Sequence, residues 1–260
     1  MKKLLLALIA SVTFFNVVQA QNDTMYVMKA GIVVGKYNVN TEVDSVIFYK
    51  PSNTIFTDSR DGNVYQTVII GTQVWMAGNL KYLPSVVGSG TSSNSIPYYY
   101  VYGYNGTEVE DAKATANYNT YGVLYNWPAA MNGAASSTTN PSGKQGVCPT
   151  GWHLPSDEEW IQLIDYLGGT SLAGSKLKEI GTTHWTCPNN GATNETGFTA
   201  LPGGEMGAPF YNVKSTGSWW TATATSSNYA KSRSMSYYNS NVGSYSESKY
   251  NGFSVRCVRD

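Results

Sequence analysis

Histidine is nearly absent from this chain, with two in 260 residues, and cysteine is scarce, with three. His153 and His184 have no metal-ligand spacing around them beyond a single His184–Cys187 pair, and one pair does not make a zinc site. No G-x-S-x-G string occurs, so nothing points to a nucleophile elbow that either histidine could serve. Charge is also in short supply. Asp, Glu, Lys and Arg make up 13% of the chain, about half the usual share of roughly 25%. Basic and acidic residues balance at 17 each, so there is no surplus to neutralise phosphates, and nucleic acid is excluded as a partner. No lysine-rich amphipathic helix is present to hold an anionic membrane surface.

What is there begins with Lys2 and Lys3, an apolar run from Leu4 to Val18, and the small-residue exit Val18-Gln19-Ala20. These are the three parts of a secretory signal peptide, with cleavage predicted after Ala20. The run is too short for a stable membrane span, no later segment could cross a bilayer, and no cysteine lies near the cleavage site to carry a lipid. The mature chain is therefore expected outside the cytoplasm, in the periplasm, at the cell surface or in the medium. Lys2 and Lys3 leave with the signal, so 17 basic residues become 15 against 17 acidic, a formal net charge of −2. In an oxidising compartment, Cys148, Cys187 and Cys257 make one disulfide and one leftover thiol, with three pairings open.

Aromatic residues make up 13% of the chain, led by 20 tyrosines. A surface of Tyr, Ser, Thr, Asn and Gly suits adaptable contact surfaces. Residues 25 to 49 are rich in Val, Ile, Tyr and Phe, with turn signals at Gly31, Gly35 and Asn40. Val43, Ile47 and Tyr49 fall on a period of two, as in a half-buried strand. Two or three short strands are predicted there, too few to bury a core alone and so expected to pack on the larger C-terminal part of the chain. Residues 50 to 54 form a polar joint.

Asp61-Gly62 between apolar runs marks a hairpin, and residues 64–70 and 73–77 read as strands around Gly71-Thr72. Residues 84–119 are the least regular, with a loop over 85–95 and an aromatic strand over Tyr98 to Tyr104. Near residues 121–131 a strand runs into a short helix that Asn126 can cap. Ser156 and Glu159 form a capping box, followed by Trp160, Leu163, Ile164 and Leu167 on one helical face and a stop at Gly168-Gly169. A second helix is predicted over about Leu172 to Glu179, and short aromatic strands come after Trp185. Strands, two central helices and more strands make an α+β architecture.

Several blocks, in order, carry a resemblance to a known family. They are DGNVYQTVIIGTQVWMAGNL at 61–80, YGVLYNW at 121–127, GVCPTGWHLPSDEEW at 146–160, GFTALPGG at 197–204, WW at 219–220 and NGFSVRCVRD at 251–260. Together they resemble the Fibrobacter succinogenes major paralogous domain (FISUMP) family, over nearly all of residues 55–260. Residues 21–54 are similar to the β-rich leader that often precedes that domain. The chain departs from the family pattern at Gly78, where members commonly carry an acid.

The resemblance implies a fold similar to C-type-lectin-like domains and formylglycine-generating enzymes, and it implies an exported protein. It brings no known activity. It also implies a Cys148–Cys257 disulfide tying the loop before the main helix to the last strand, which leaves Cys187 free. Formylglycine-generating enzymes use two cysteines shortly before their C-terminal end, yet residues 188–256 contain none. The calcium motifs of sugar-binding lectins, E-P-N, Q-P-D and W-N-D, do not occur either. No cofactor is implied. Calcium held by scattered loop oxygens is compatible with the sequence, but no motif marks it.

Asp157, Glu158 and Glu159 crowd one helical turn, where they complement the macrodipole and build the cap. No pair of acids converging from separate elements, as a glycosidase requires, is legible. His153, between Trp152 and Leu154, reads as a packed, hydrogen-bonded histidine. The leading expectation is thus a non-catalytic binding domain for glycan or protein. Two alternatives stand beside it, a diverged sulfatase-modifying-type enzyme or hydrolase on the same scaffold, and a structural envelope component. In lectin-like folds the long-loop region carries the ligand, here about residues 181–215. Within it Trp185, Asn190, Glu195 and Tyr211 are of the types that stack on or hydrogen-bond to sugars.

Overall fold

The computed structural model of the chain describes residues 24–29, 32–38 and 54–260. The signal segment, the strand expected at Val43 to Tyr49 and the joint at 50–53 lie outside the described residues. The chain divides into two compact units, Met1–Lys50 and Pro51–Asp260. In the first, β1 (Thr24–Lys29) and β2 (Ile32–Asn38) pair antiparallel from Thr24↔Asn38 to Lys29↔Ile32, with a register shift at Val27/Met28.

The second unit is α+β, built on several small antiparallel sheets. The first sheet has five strands in the order β3 (Ile55–Thr57), β4 (Val64–Ile70), β5 (Gln73–Met76), β14 (Val258–Arg259) and β8 (Trp152–His153). Its β3–β4 turn is the expected one. Gly62 takes φ 75°, and the Asp58 carbonyl accepts its N–H at 2.8 Å. A second sheet runs β11 (Thr216–Ala224), β12 (Tyr229–Ser236), β13 (Gly243–Ser248). Two-residue ladders join β6 (Tyr99–Tyr100) to β7 (Leu124–Tyr125), and β9 (Glu205–Met206) to β10 (Phe210–Tyr211).

The aromatic strand expected over Tyr98 to Tyr104 shrinks to those two residues of β6. The segment before Asn119, read as irregular, contains the short helices α1 (Val109–Lys113) and α2 (Ala116–Tyr121). The second is capped by the Thr115 side chain, which accepts from the Tyr118 N–H. Helix α3 (Trp127–Met131) starts at the expected Asn126 cap.

Helix α4 (Asp157–Tyr166) carries the capping box. Ser156 Oγ accepts from the Glu159 N–H at 3.2 Å, and Glu159 Oε2 accepts from the Ser156 N–H at 2.9 Å. Its inward face buries Trp160, Leu163 and Ile164. Helix α5 (Thr170–Leu177) ends two residues before the predicted stop. Lys178 leaves helical geometry with ψ 142°. Its ammonium is buried, where it donates to the carbonyls of Asn190 (3.0 Å), Ser236 (3.0 Å) and Asn239 (2.7 Å), and burial lowers its pKa to about 8. One amine thereby ties the segment at Asn190 to the end of β12 and to the β12–β13 loop.

Aromatic packing fills the core in two regions. Under α4, Trp75 and Trp160 pack with ring centroids 4.9 Å apart, and Phe198 and Trp219 close on them. On the other side, Trp220 and Phe253 lie 4.5 Å apart. The implied disulfide is present. Cys148 and Cys257 are bonded, both fully buried, and 109 positions apart.

Asn79 is the polar hinge of this core. Its Oδ1 accepts from Trp219 Nε1 (2.9 Å) and from an Arg256 Nη (2.9 Å), while its Nδ2 donates to Tyr121 O and Ser254 Oγ. Arg256 is fully buried and makes no ion pair with a carboxylate among the described residues. It also donates to the Phe198 and Thr199 carbonyls and stacks 4.0 Å from the Phe198 ring. Burial lowers its pKa to about 9. Asn79→Ala removes the one side-chain acceptor of that guanidinium, and a loss of about 3 kcal/mol is expected from the stranded buried donors. Urea unfolding checks this; a loss below about 1 kcal/mol would mean that water or the carbonyls replace Asn79.

Candidate functional site

The β9–β10 hairpin lies against the β11–β13 sheet and brings two glutamates from distant parts of the chain into mutual range. Glu205 and Tyr211 are cross-strand partners in the hairpin. Met206 and Gly252 exchange backbone hydrogen bonds of 2.9 and 2.7 Å, which clamp the hairpin to the segment after β13. Gly204, at φ 69°, admits no side chain, because a Cβ would lie 2.7 Å from the Tyr102 ring and from the backbone of Tyr211 and Val213. The loop between β9 and β10 holds Ala208 at φ 55°, and the segment that leaves β10 for β11 holds Asn212 and Lys214 at φ 61° and 67°. Such conformations cost non-glycine residues of order 1 kcal/mol or more and collect at ligand sites.

Strand alternation builds the opposite wall. Ser218 pairs with Ser234, Ser232 with Tyr245, and Ala230 with Glu247, so these residues share one face of the sheet. The Ser218 hydroxyl donates to Glu205 Oε1 at 2.7 Å and lies 3.2 Å from Ser234 Oγ. Asn251 Nδ2 donates to Glu247 Oε2 at 3.2 Å. Among the described residues no lysine, arginine or histidine makes an ion pair with either glutamate.

Burial raises the Glu247 pKa, and the Glu205 charge raises it further, against the pull of Asn251. Tyr211 is pushed up by burial and then by Glu205. Tyr211, Tyr245 and Tyr250 are 38%, 53% and 37% exposed, so aromatic surface flanks the acids. A different hollow, of about 330 Å³, is lined by Ile70, Gly71, Thr72, Gln162 and Tyr166 and contains no carboxylate or basic group. Its lining offers no chemistry comparable to the paired glutamates.

Of the four loop residues expected to meet a ligand, Tyr211 alone stands beside these acids. Trp185 is 2% exposed, and its indole N–H is spent on the Ala200 carbonyl at 3.0 Å; it is core and has no free face to stack on a sugar. Asn190 donates to the Tyr238 carbonyl at 2.8 Å and orders the loop. Glu195 pairs with Lys176 at 3.0 Å. Cys187 is exposed and free, and His184 is held by Glu179 at 2.8 Å. No group of three or more His, Cys, Asp or Glu able to hold a metal occurs among the described residues.

Two of the three acids of the α4 first turn take separate roles. Asp157 pairs with the buried Arg233 at 2.7 Å. Glu159 turns inward, and its Oε1 lies 2.6 Å from His153 Nε2. The other ring nitrogen lies 2.7 Å from Asp260 Oδ1. A neutral imidazole carries one N–H, so only the imidazolium can donate to both carboxylates. The Glu205–Glu247 pair was not visible in the sequence. The GSYSES alternation of β13 does place Tyr245 and Glu247 on one face, but Glu205 reaches it only through tertiary packing.

A family model described as Fibrobacter succinogenes major domain matches residues 68–259. No curated protein and no solved structure matches the chain.

Proposed function

We propose, for a chain that belongs to the Fibrobacter succinogenes major domain family, the role of an exported, non-catalytic binding domain whose ligand is a glycan. The observation that carries this reading is the pair of glutamates flanked by three part-exposed tyrosines. Tyrosine supplies flat apolar area with little rotamer entropy to lose, and carboxylates accept hydrogen bonds from sugar hydroxyls. A C-type-lectin-like or formylglycine-generating-enzyme-like fold is part of the same proposal, supported by the small antiparallel sheets and by the disulfide that ties the end of the chain to the loop before α4.

Export is supported by the signal-like leader, by a buried disulfide and by the lack of a membrane-crossing helix among the described residues. The non-catalytic reading is supported by the thiol inventory. Cys148 and Cys257 are joined, so Cys187 has no second thiol to work with.

The test is direct binding of residues 21–260 to a panel of plant and bacterial polysaccharides, with and without calcium. Saturable binding to one class is expected, and Tyr245→Ala should weaken it by about tenfold, or 1.4 kcal/mol, with the melting temperature unchanged. Silence across the panel, or binding indifferent to Tyr245, would move the reading to a protein ligand or a structural envelope role.

A further inference from the structure

We infer that β13 is a seam between two copies of this chain, which pair antiparallel across it and join their three-stranded sheets into one. The inference is independent of the glycan reading and begins with the strand edge. In the order β11, β12, β13 the last strand pairs on one side alone, and no strand or isolated bridge occupies its other side among the described residues. Edge strands are ordinarily guarded by proline, lysine or a bulge. β13 reads GSYSES, with neither proline nor lysine, and its register with β12 runs from Tyr229↔Ser248 to Ser234↔Gly243 without a shift.

The ladder determines which backbone groups are free. Lys249 donates its N–H inward to the Asn228 carbonyl at 2.9 Å, and Val242 donates outward to the Thr170 carbonyl at 3.0 Å. Inward and outward groups alternate along an antiparallel strand. Ser244, Ser246 and Ser248 therefore turn their N–H and C=O to the open side. Among the described residues only the Ser248 carbonyl has a backbone partner there, the Asn251 N–H at 2.9 Å. Ser244, Tyr245 and Ser246 are exposed, so a second strand can reach them.

The order of side chains selects a second copy as the occupant. Ser244-Tyr245-Ser246-Glu247-Ser248 is symmetric about Ser246, except that tyrosine mirrors glutamate. With a two-fold axis at Ser246, that residue exchanges both backbone bonds with its own copy, and Ser244 exchanges them with Ser248. Serines meet on one face. On the other, Tyr245 lies across from Glu247 of the second copy, once in each direction, and no acid opposes an acid. Like charges directly opposite each other destabilise a strand pair. An axis at Glu247 would set the acids face to face and call on backbone groups already bonded to β12. An axis at Ser244 would need the Val242 N–H, which Thr170 holds. Pairing at Ser246 consumes both open edges, so the assembly closes at two copies. It also brings Tyr245 and Glu247 of both copies onto one face, which doubles the patch of the candidate site across the axis.

The experiment is sedimentation velocity of residues 21–260 from about 1 μM to 1 mM, without sugar, carrying Cys187→Ser so that the exposed thiol cannot crosslink copies. A strand ladder alone falls short of the roughly 1,200 Å² of stable complexes, so a reversible dimer with a Kd of about 10 to 100 μM is expected. Ser246→Pro should raise that Kd at least about tenfold. Its N–H points away from β12, where an edge strand tolerates proline, so the melting temperature should hold. Tyr245→Lys should dimerise at least about tenfold more tightly than Tyr245→Glu, because the first sets opposite charges across the axis twice and the second like charges.

A monomer at every concentration would overturn the inference and leave the edge to a strand of another protein. A dimer indifferent to Ser246→Pro, or equally tight in the Lys and Glu variants, would overturn the seam. Should Ser246→Pro fold poorly, Ser246→Cys supplies a second readout. Residues exchanging both bonds lie about 5.5 Å apart at Cα, within disulfide range. Air oxidation should therefore crosslink Ser246→Cys to its own copy much faster than Ser227→Cys, which is exposed in the β11–β12 turn. Equal rates would overturn the inference.

Discussion

His153→Ala destabilises the folded domain by about 3 to 5 kcal/mol, the cost of breaking a buried ion pair from one side. Glu159 is 1% exposed and His153 is 3% exposed, so the carboxylate left behind has no water to turn to. Its Oε2 accepts the N–H groups of Ser142 and Ser156, each at 2.9 Å, and those bonds fix the side chain where it is. The damage therefore spreads to the α4 cap and the loop at Ser142. Asp260, 60% exposed, is a weaker partner and loses less. Urea unfolding measures the effect; a loss under about 1 kcal/mol would show that the site left by the imidazole repacks or rehydrates at little cost.

The same contact sets a pH dependence. Burial acts against the charge on His153, but the hydrogen bonds and charges of Glu159 and then Asp260 outweigh it, and the pKa is raised. A raised folded pKa means that the folded state holds the proton more tightly than the unfolded one. The contribution is thus complete below the ordinary histidine value of about 6.5, and it is lost as pH rises through the elevated folded value. The difference in stability between wild type and His153→Gln should shrink across that window. A difference flat in pH would argue against an imidazolium at this position.

Removing the disulfide by Cys148→Ala with Cys257→Ala is expected to cost about 4 to 5 kcal/mol in the chain-entropy model for a ring of 109 positions, the sequence separation of the pair. For a domain of this size that is a fall of about 10 °C or more in melting temperature. The bond joins the loop before β8 to β14, and β14 lies between β5 and β8 in the five-stranded sheet. Two residues of β14 alone make a weak ladder, so the crosslink carries much of the closure. Clean reduction should reproduce the loss, and an unchanged melting temperature would mean that packing around Val255 and Val258 suffices.

Local signals were legible wherever a few neighbouring residues settle the backbone. Asp61-Gly62 needs one left-handed glycine, the Ser156–Glu159 box closes on itself, and Trp160, Leu163 and Ile164 repeat at the period of a helix. Helices α1 and α2 went unread because they are five and six residues long, too short for an apolar period to show. Trp185 looked like a stacking residue because composition reports type and not burial. An indole in a polar loop can turn either way, and here the Ala200 carbonyl and the α5 packing draw it inward.

Residue order thus carried the longer elements, the Asn126 and Ser156 caps, the family resemblance and the pairing that the resemblance implies, since all of these depend on residues at short fixed offsets or on whole motifs in series. The carboxylate patch could not be read the same way. Glu205 and Glu247 are separated in sequence, and neither has a local pattern that marks it. Their meeting depends on the Met206–Gly252 clamp and on the register of β11, β12 and β13. A one-residue slip in that register would turn Glu247, Tyr245 and Ser232 to the opposite face. Packing of the whole sheet, through the sum of many weak contacts, chose the register and with it the site.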